Sequence, residues 1–396
     1  MKNRIWLLIG LSLLLGVICL NATEHPTTVL YHKVFNDKGN YPELDLNGTS
    51  SEYTAEGLKI TGKGNVARLN KYYSLGDRMI RYHVKFSPNA NAVFQSNTGD
   101  FKVQVNVSEK TISIQTNPII WKKVDFLNPD NEYLVEIYRI YQANKIRIID
   151  VFTGKMEELT VTNDGTGGYG AGTENSGFNA GGQHDYYCFG LSEGTSLLVK
   201  QISVVSGSCN LTLLIYGDSI TEPEGYYPTN DFSKSWTQLV LRNMNGKALC
   251  SGRGGCTINE VLERIKNELP YVKSKYVMVT IGTNGGNTEA NLSELIEYII
   301  SQGSIPILNN IPSNESNSQI EANKLIEKIR GKYKINGCRF DIATSLNNDG
   351  LEVDKSTMYY EDYSGSTGWQ IYHHPNVKGA LKMYLRTLID TPEIYE

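Results

Sequence analysis

Hydrophobic and polar residues alternate along most of the chain between residues 28 and 205. A period of two is typical of β-strands with one face in the core and the other in solvent. Many short strands joined by polar turns favour an antiparallel β-sandwich. The clearest alternating segments are RMIRYHVKF (78–86), FKVQVNV (101–107), TISIQT (111–116), EYLVEIYRIY (132–141), NKIRIIDVF (144–152) and SLLVKQISVV (196–205).

From residue 211 onward, short apolar runs alternate with segments whose apolar residues recur every three or four positions. This spacing predicts amphipathic helices, and Thr257 followed by Glu260 fits a capping box at the start of one of them. Strands that alternate with helices predict a parallel sheet with helices on both faces, a three-layer α/β domain. The apolar runs are 211–216, 276–281 and 304–309, and the helical segments are 235–244, 258–269 and 290–302.

The change of pattern falls at SGSCN (206–210), so we predict a domain boundary there. The first domain then covers 28–205 and the second covers 211–396. A length of 396 residues also favours two domains over one. A glycine-rich stretch within the first domain, at 165–182, predicts a loop that is either a surface excursion or the lining of a groove.

The first 22 residues have the pattern of a secretory signal peptide. Lys2 and Arg4 precede an apolar stretch that ends at Leu20, and cleavage after Ala22 fits the pattern. We therefore predict an exported protein, secreted or periplasmic. Two alternatives remain open, a lipoprotein anchored at Cys19 and a retained membrane anchor.

Charge and cysteine content exclude some functions and leave others open. The formal net charge of −4 provides no electrostatic reason to expect a nucleic acid as partner. Removal of the leader leaves an odd number of cysteines, so at least one has no partner in the chain. Cys188 could pair with Cys209, or Cys250 with Cys256, although buried cysteines without disulfides are the favoured interpretation. No Cys/His cluster has the spacing of a zinc site.

Candidate chemistry begins in the segment LLIYGDSITEP (213–223), where a buried strand ends directly before Ser219. In a parallel sheet, ligands bind beyond the carboxyl ends of the strands. The polar loops CSGRGGCT (250–257) and IGTNGGN (281–287) follow two other predicted strands and should reach the same rim. The only histidines of the second domain, His373 and His374, stand just before the last predicted helix.

A hydroxyl, glycine amides, a carboxamide and an imidazole are the groups that acyl transfer requires. A serine needs a neighbouring base to become a good nucleophile. Main-chain and side-chain N–H groups stabilise the oxyanion of the tetrahedral intermediate. These residues therefore predict a serine esterase site.

Four short blocks, GDSIT (217–221), GGCT (254–257), GTN (282–284) and HPN (374–376), resemble in their order the blocks of the SGNH, or GDSL, hydrolases. The resemblance covers the second domain only and implies an SGNH fold there. It implies that Ser219 is the nucleophile and an amide donor, that Gly255 and Asn284 complete the oxyanion hole, and that His374 is the general base. Gly252 is the alternative to Gly255. No metal or organic cofactor is implied, and water completes the reaction.

The chain departs from this family at two positions. The family usually has an acid three residues before the histidine, where this chain has Ile371. Either another carboxylate orients His374 or the site is a Ser-His dyad, which is the favoured interpretation. The aspartate that usually follows the third-block asparagine is replaced by Gly285. The candidate acids are Asp354, Asp362 and Glu361, with the two aspartates preferred.

Other residues near the blocks have candidate roles in binding. Asp218, Arg253 and Trp369 could contact the substrate. A structural bond to loop amides is the favoured role of Asp218, whereas a solvated charge explains Arg253 and a core ring explains Trp369 equally well. His373 is expected to be a packing or polar neighbour. Trp121, with the many tyrosines, could form a platform for sugar rings on the first domain, which we expect to be jelly-roll or concanavalin-like.

The layout resembles that of carbohydrate esterases which combine a sandwich with an SGNH domain, and this resemblance implies esters of small acyl groups, with acetyl expected first, on carbohydrates. A lipase or lysophospholipase of the same fold and a non-catalytic glycan-binding protein are the alternatives. The sequence does not determine the oligomeric state.

Overall fold

The computed structural model describes residues 28–97, 102–115, 119–140, 143–162, 187–222, 231–362 and 370–396. The predicted leader, the glycine-rich stretch at 165–182 and Trp369 lie outside these ranges. Among the described helices, none is both long and apolar enough to cross a membrane.

The first half of the chain forms two antiparallel sheets. One has the strand order β13-β12-β11-β6-β15-β4-β3, with β1 also paired to β15, and the other has the order β10-β9-β8-β7-β14-β5-β2. The strands are β1 (Thr28–Val34), β2 (Leu44–Asp45), β3 (Ser51–Thr54), β4 (Gly57–Ile60), β5 (Val66–Leu69), β6 (Arg78–Phe86), β7 (Asn91–Gln95), β8 (Lys102–Asn106), β9 (Thr111–Ile114), β10 (Ile120–Lys123), β11 (Glu132–Ile140), β12 (Ala143–Asp150), β13 (Met156–Thr162), β14 (Cys188–Glu193) and β15 (Leu197–Ser206).

The two sheets pack face to face, as the alternating pattern predicts. Tyr82 in the centre of β6 contacts rings of the opposite sheet, with centroids 4.8 Å from Phe94 and 5.5 Å from Phe189. Several tyrosines are buried in this way and therefore form part of the core rather than a surface platform. Strand β10 is different, because all four of its residues are exposed.

The second half is a three-layer α/β unit around a parallel sheet with the order β17-β16-β18-β19. Its strands are β16 (Leu211–Gly217), β17 (Ala248–Gly252), β18 (Ser274–Thr280) and β19 (Ile305–Leu308), followed by the antiparallel hairpin β20 (Met358–Asp362) and β21 (Gln370–Pro375). Its helices are α1 (Trp236–Asn243), α2 (Ile258–Val272), α3 (Glu289–Ser301), α4 (Gln319–Tyr333), α5 (Phe340–Thr344) and α6 (Val377–Asp390), and short 3₁₀ helices cover Phe232–Lys234, Lys355–Thr357 and Pro392–Ile394.

Alternate residues of the central strand β16 point to opposite faces of this sheet. Leu214 and Tyr216 belong to a cluster with α2, α3 and α4, while Leu213 and Ile215 belong to a cluster with α1, α5 and α6. A strand covered on both faces reads as a continuous apolar run, which is why 211–216 lacks alternation.

The core of the sandwich and the core on the α2 side of the parallel sheet form one continuous apolar cluster. The predicted fold class is therefore confirmed, with an antiparallel sandwich followed by an α/β unit. The pattern changes between the end of β15 and the start of β16, within the segment predicted as the boundary. No disulfide joins any of the five cysteines among the described residues, so neither candidate pair is bonded.

Candidate active site

The nucleophile turn follows β16 directly. A Cβ on Gly217 would lie 2.0 Å from Thr221 Oγ1 and 2.5 Å from the carbonyl oxygen of Thr280, so only glycine fits. The N–H groups of Thr221 and Glu222 then donate to the carbonyl oxygen of Asp218, at 3.1 and 3.0 Å. The turn therefore holds Ser219 in a fixed position at the rim of the sheet.

Ser219 and His374 meet at this rim although 155 positions separate them. The distance between His374 Nε2 and Ser219 Oγ is 2.8 Å. Both residues are nearly inaccessible, with 5% and 6% of their surface exposed. A hydrogen bond of this length allows the imidazole to accept the hydroxyl proton.

A carboxylate lies on the other side of the imidazole, and it belongs to Glu361. Oε1 of Glu361 is 2.6 Å from His374 Nδ1, and Oε2 accepts the main-chain N–H of His374 at 3.3 Å. The side chain of Glu361 is buried. A carboxylate in this position fixes the Nδ1–H tautomer, which leaves Nε2 free to act as a base.

The hairpin explains how Glu361 replaces the missing acid. In the register of β20 and β21, Glu361 is directly paired with Ile371, the position where the family has its acid. The carboxylate therefore reaches the histidine from the neighbouring strand rather than from the same one. The sequence between the strands, YSGSTGW (363–369), is rich in turn-forming residues, and this signal could have indicated the hairpin and its pairing.

The two preferred acids, Asp362 and Asp354, do not contact the histidine. Asp362 follows Glu361 on the same strand and points to the opposite, exposed side, where Oδ2 accepts the Nε2–H of Gln370 at 2.9 Å. Asp354 caps a 3₁₀ helix by accepting the N–H of Ser356 at 3.1 Å. Both were therefore wrong as partners of His374, and a dyad without a carboxylate is not the arrangement in this structure.

Asn376, the last residue of the HPN block, fixes the histidine strand to its surroundings. Its Oδ1 accepts N–H groups of Lys378 and Gly379 at the start of α6, at 2.9 and 3.1 Å. Its Nδ2 donates to the carbonyl oxygens of Ser356 and Met358, at 3.1 and 3.0 Å. One side chain therefore joins α6 to the beginning of β20.

The oxyanion-hole candidates lie on two loops that touch each other. Asn284 Nδ2 donates to the carbonyl oxygen of Cys256 at 3.1 Å, which joins the third-block loop to the second-block loop. Gly255 has φ = +75°, a region that favours glycine, and is exposed. Gly252 is at the end of β17, where an added Cβ would lie 2.6 Å from the main-chain nitrogen of Glu222. This close packing makes Gly252 a contact point between the end of β17 and the nucleophile turn.

Glu222 was missed in the sequence. Its buried carboxylate accepts the main-chain N–H of Gly254, next to Gly255. The residue directly follows the GDSIT block, but nothing in its spacing indicates the loop that it contacts. Its position makes it a support of the second-block loop.

The remaining predicted binding residues have different surroundings. Arg253 is half-buried; its main-chain N–H donates to Gly217 at 3.2 Å and its guanidinium to the Gly254 carbonyl at 3.3 Å. His373 stacks edge-to-face on His374, with centroids 4.6 Å apart, and burial followed by the charge of His374 lowers its pKa to about 3. His373 is therefore neutral at physiological pH.

Asp218 is fully buried beneath the nucleophile turn. Its Oδ1 accepts the main-chain N–H of Ile220 at 3.0 Å. Burial raises its pKa to about 6, against the opposing effects of this hydrogen bond and of the charges on His374 and Arg264. The carboxylate of Asp218 therefore supports the turn through its bond to Ile220. Because it is buried, it is a structural group rather than a substrate contact.

Comparisons with known proteins show distant structural similarity and no match in sequence. No protein-family model matches the sequence, and no curated protein matches it. One similar structure is a variant of Axe2, an acetyl xylan esterase from Geobacillus stearothermophilus, at 15% identity over 47% of this chain and 95% of that one, with a TM-score of 0.36. Others are TesA (18%, 46% and 99%, TM-score 0.37) and the exoplasmic/lumenal domain of VIP36 bound to Ca²⁺ and Man3GlcNAc (10%, 45% and 90%, TM-score 0.33).

Each of these likenesses spans less than half of the chain, and at these scores they do not decide an activity. The architecture and the sequence blocks of the protein define its class. It is an antiparallel β-sandwich followed by an α/β domain that resembles the SGNH hydrolases in its sequence blocks and in its parallel sheet.

Replacement of Asp218 by Asn is expected to change how stability depends on pH. Between the unfolded-state pKa of 3.8 and the folded-state value of about 6, the unfolded chain loses the proton first. The free energy of unfolding therefore falls as pH rises through this window and levels off above it. Asp218→Asn does not titrate at this position and so lacks this loss. The difference between its thermal midpoint and that of the wild type should therefore become more positive from pH 4 to pH 6. A difference in midpoint that does not vary with pH would contradict the assignment.

Proposed function

We propose that this chain is a carboxylic ester hydrolase that uses a Ser219–His374–Glu361 triad. The observation that carries the proposal is the buried series of hydrogen bonds from Glu361 through the imidazole to Ser219 Oγ. A serine hydroxyl at an exposed turn would not need an imidazole on one side and a carboxylate behind it. This arrangement activates a nucleophile.

The geometry supports a two-step acyl transfer. His374 Nε2 takes the proton from Ser219 Oγ as the oxygen attacks the ester carbonyl, and Glu361 stabilises the imidazolium that forms. The N–H groups of Ser219, Gly255 and Asn284 stabilise the oxyanion. When the intermediate collapses, the alcohol leaves with the proton from Nε2, and water then attacks the acyl-enzyme by the same sequence of proton transfers.

We propose small acyl groups, acetyl above all, on carbohydrates as the substrate class. The two-domain layout and the pattern of a secretory leader support this choice. The same leader pattern is the reason to propose that the protein is exported. A lipase or lysophospholipase of the same fold would require a site for a long acyl chain, and the described residues provide no observation in its favour. A non-catalytic protein would have no use for the buried triad.

A role for the first domain in binding glycans has one specific observation in its favour. Trp121 on the edge strand β10 is 63% exposed, and Ile119 and Ile120 beside it are also exposed. Indole rings in such positions can stack on the apolar faces of sugars. Lys122 of this strand forms an ion pair with Glu157 of β13 at 2.7 Å.

Ser219→Ala is expected to abolish hydrolysis of p-nitrophenyl acetate, with kcat lowered by about 10⁴-fold or more, because the nucleophile is removed. Ser301→Ala, at an exposed serine on α3, is the matched control and should retain full activity. Wild-type protein that is inert toward short acyl esters would count against the proposal. Faster turnover of p-nitrophenyl octanoate than of the acetate would instead favour the lipase alternative.

Glu361→Gln should lower kcat by about 10²- to 10⁴-fold, because a neutral amide no longer fixes the tautomer or stabilises the imidazolium. The neighbouring substitution Asp362→Asn removes a carboxylate that points away from the histidine and should leave kcat within about twofold. Steady-state kinetics on p-nitrophenyl acetate measure both. Equal, small effects of the two substitutions would mean that the site works as a dyad.

Trp121→Ala should weaken retention of the protein on an immobilised acetylated xylan by about tenfold or more, since an aromatic anchor is lost. Activity on p-nitrophenyl acetate should not change, because the indole is on strand β10 of the sandwich and the triad is in the α/β unit. Phe152→Ala removes another exposed ring of the first domain and is the control. Retention that is the same for all three proteins would remove the evidence for this binding surface.

A further inference from the structure

Helix α2 stands between the sandwich and the nucleophile turn, and it contacts both through buried polar side chains. On the sandwich side, Glu268 Oε1 accepts the main-chain N–H of Ser74 at 2.5 Å. Asn267 Nδ2 donates to the carbonyl oxygen of Tyr72 at 3.3 Å, and Lys71 Nζ lies 3.5 Å from Asn267 Oδ1. Segment 71–76 of the first domain is therefore fixed to this helix.

On the other side, the same helix holds the nucleophile turn. Arg264 is one helical turn before Glu268, and its Nη2 donates to the carbonyl oxygen of Gly217 at 3.0 Å. Gly217 is two residues before Ser219. Another hydrogen bond joins the sandwich to the parallel sheet: the N–H of Gly76 donates to the carbonyl oxygen of Cys250 in β17 at 2.9 Å.

Arg264 and Glu268 have opposite charges, lie one helical turn apart on α2 and are buried, with 2% and 0% of their surfaces exposed. The charge of Arg264 opposes the effect of burial, which raises the pKa of Glu268. Within the described part of the chain, Nε and Nη1 of Arg264 have no hydrogen-bond partner. Two buried opposite charges with incomplete hydrogen bonding are poor evidence for stabilisation, because the cost of desolvation offsets their attraction.

We propose that this pair is a positioning device and that the sandwich is part of the catalytic unit. Segment 71–76 fixes α2 through Glu268 and Asn267, the charge of Glu268 favours the buried guanidinium of Arg264 on the same helix, and Arg264 holds the Gly217 carbonyl so that Ser219 stays within hydrogen-bonding distance of His374. The first domain thus contributes to turnover, in addition to any glycan that it binds. This inference rests on the proposed esterase function.

The test removes both charges together. Arg264→Met and Glu268→Gln alone should each lower the thermal midpoint, because each leaves a buried charge without its partner. The double variant R264M/E268Q has no unpaired charge and should recover much of that loss. It still lacks the bond to Gly217, so kcat on p-nitrophenyl acetate should remain about 10- to 100-fold low while KM stays within about twofold.

Labelling of Ser219 by a fluorophosphonate probe provides a second readout that does not depend on ester turnover. Its rate in the double variant should fall in parallel with kcat. The control is the double variant K266M/E294Q, which removes an exposed ion pair between α2 and α3, 2.9 Å long, and should change neither stability nor rate appreciably. A double variant R264M/E268Q with both the midpoint and the kcat of the wild type would overturn the inference.

Two further variants complete the design. Arg264→Lys keeps the charge beside Glu268 but shortens the reach toward Gly217, so a folded variant with wild-type kcat would also overturn the inference, even if the double variant does not fold. Ser74→Pro removes the N–H that the sandwich donates and should lower kcat by about threefold or more at constant KM. An unchanged kcat there would overturn the role of the sandwich.

Failure of this inference is distinguishable from failure of the proposed function. Wild-type protein that neither hydrolyses the ester nor reacts with the probe would refute the esterase itself. Wild-type protein that does both, together with a double variant R264M/E268Q that does both equally well, would refute only the positioning role.

Discussion

The hydrogen bond between Ser219 and His374 is the interaction on which the candidate site depends. It joins the first turn of the α/β unit to the strand that precedes its last helix, so it can form only when the whole domain is folded. The parallel sheet makes the bond possible because the carboxyl ends of its strands share one rim. Gly217 and Asn376 then remove the remaining freedom, one by allowing the tight turn and the other by fixing the histidine strand to α6.

The carboxylate behind the histidine shows that one chemical role can be filled from different places in the chain. Cross-strand neighbours in an antiparallel pair are as close together as residues nearby on the same loop. Position 361 is paired with position 371 across the hairpin. A carboxylate at 361 can therefore take the same place beside the histidine as one at 371, although it comes from a different point in the sequence. Absence of an acid at the expected spacing is thus weak evidence for a dyad.

Burial determines what the other ionisable groups near the site can do. His373 is adjacent to the proposed base and has the same side chain, yet its depressed pKa keeps it neutral. Asp218 is adjacent to the nucleophile, and its raised pKa reflects the cost of a charge with little solvent around it. Arg264 and Glu268 are buried too, on a helix that contacts both the sandwich and the nucleophile turn, and their opposite charges offset part of the cost of burying them.

The sequence by itself determined the two types of fold, the change between them near residue 206, and the identity of Ser219, His374, Gly255 and Asn284 as candidates. These features are local, because the period of a pattern and the residues at a strand end are read within one short segment. Tertiary structure alone decided which carboxylate faces His374, that Glu222 supports the second-block loop, and that α2 joins the sandwich to the nucleophile turn. Each of these depends on which segments pair or pack across long separations, and a single sequence does not encode such contacts in its spacing.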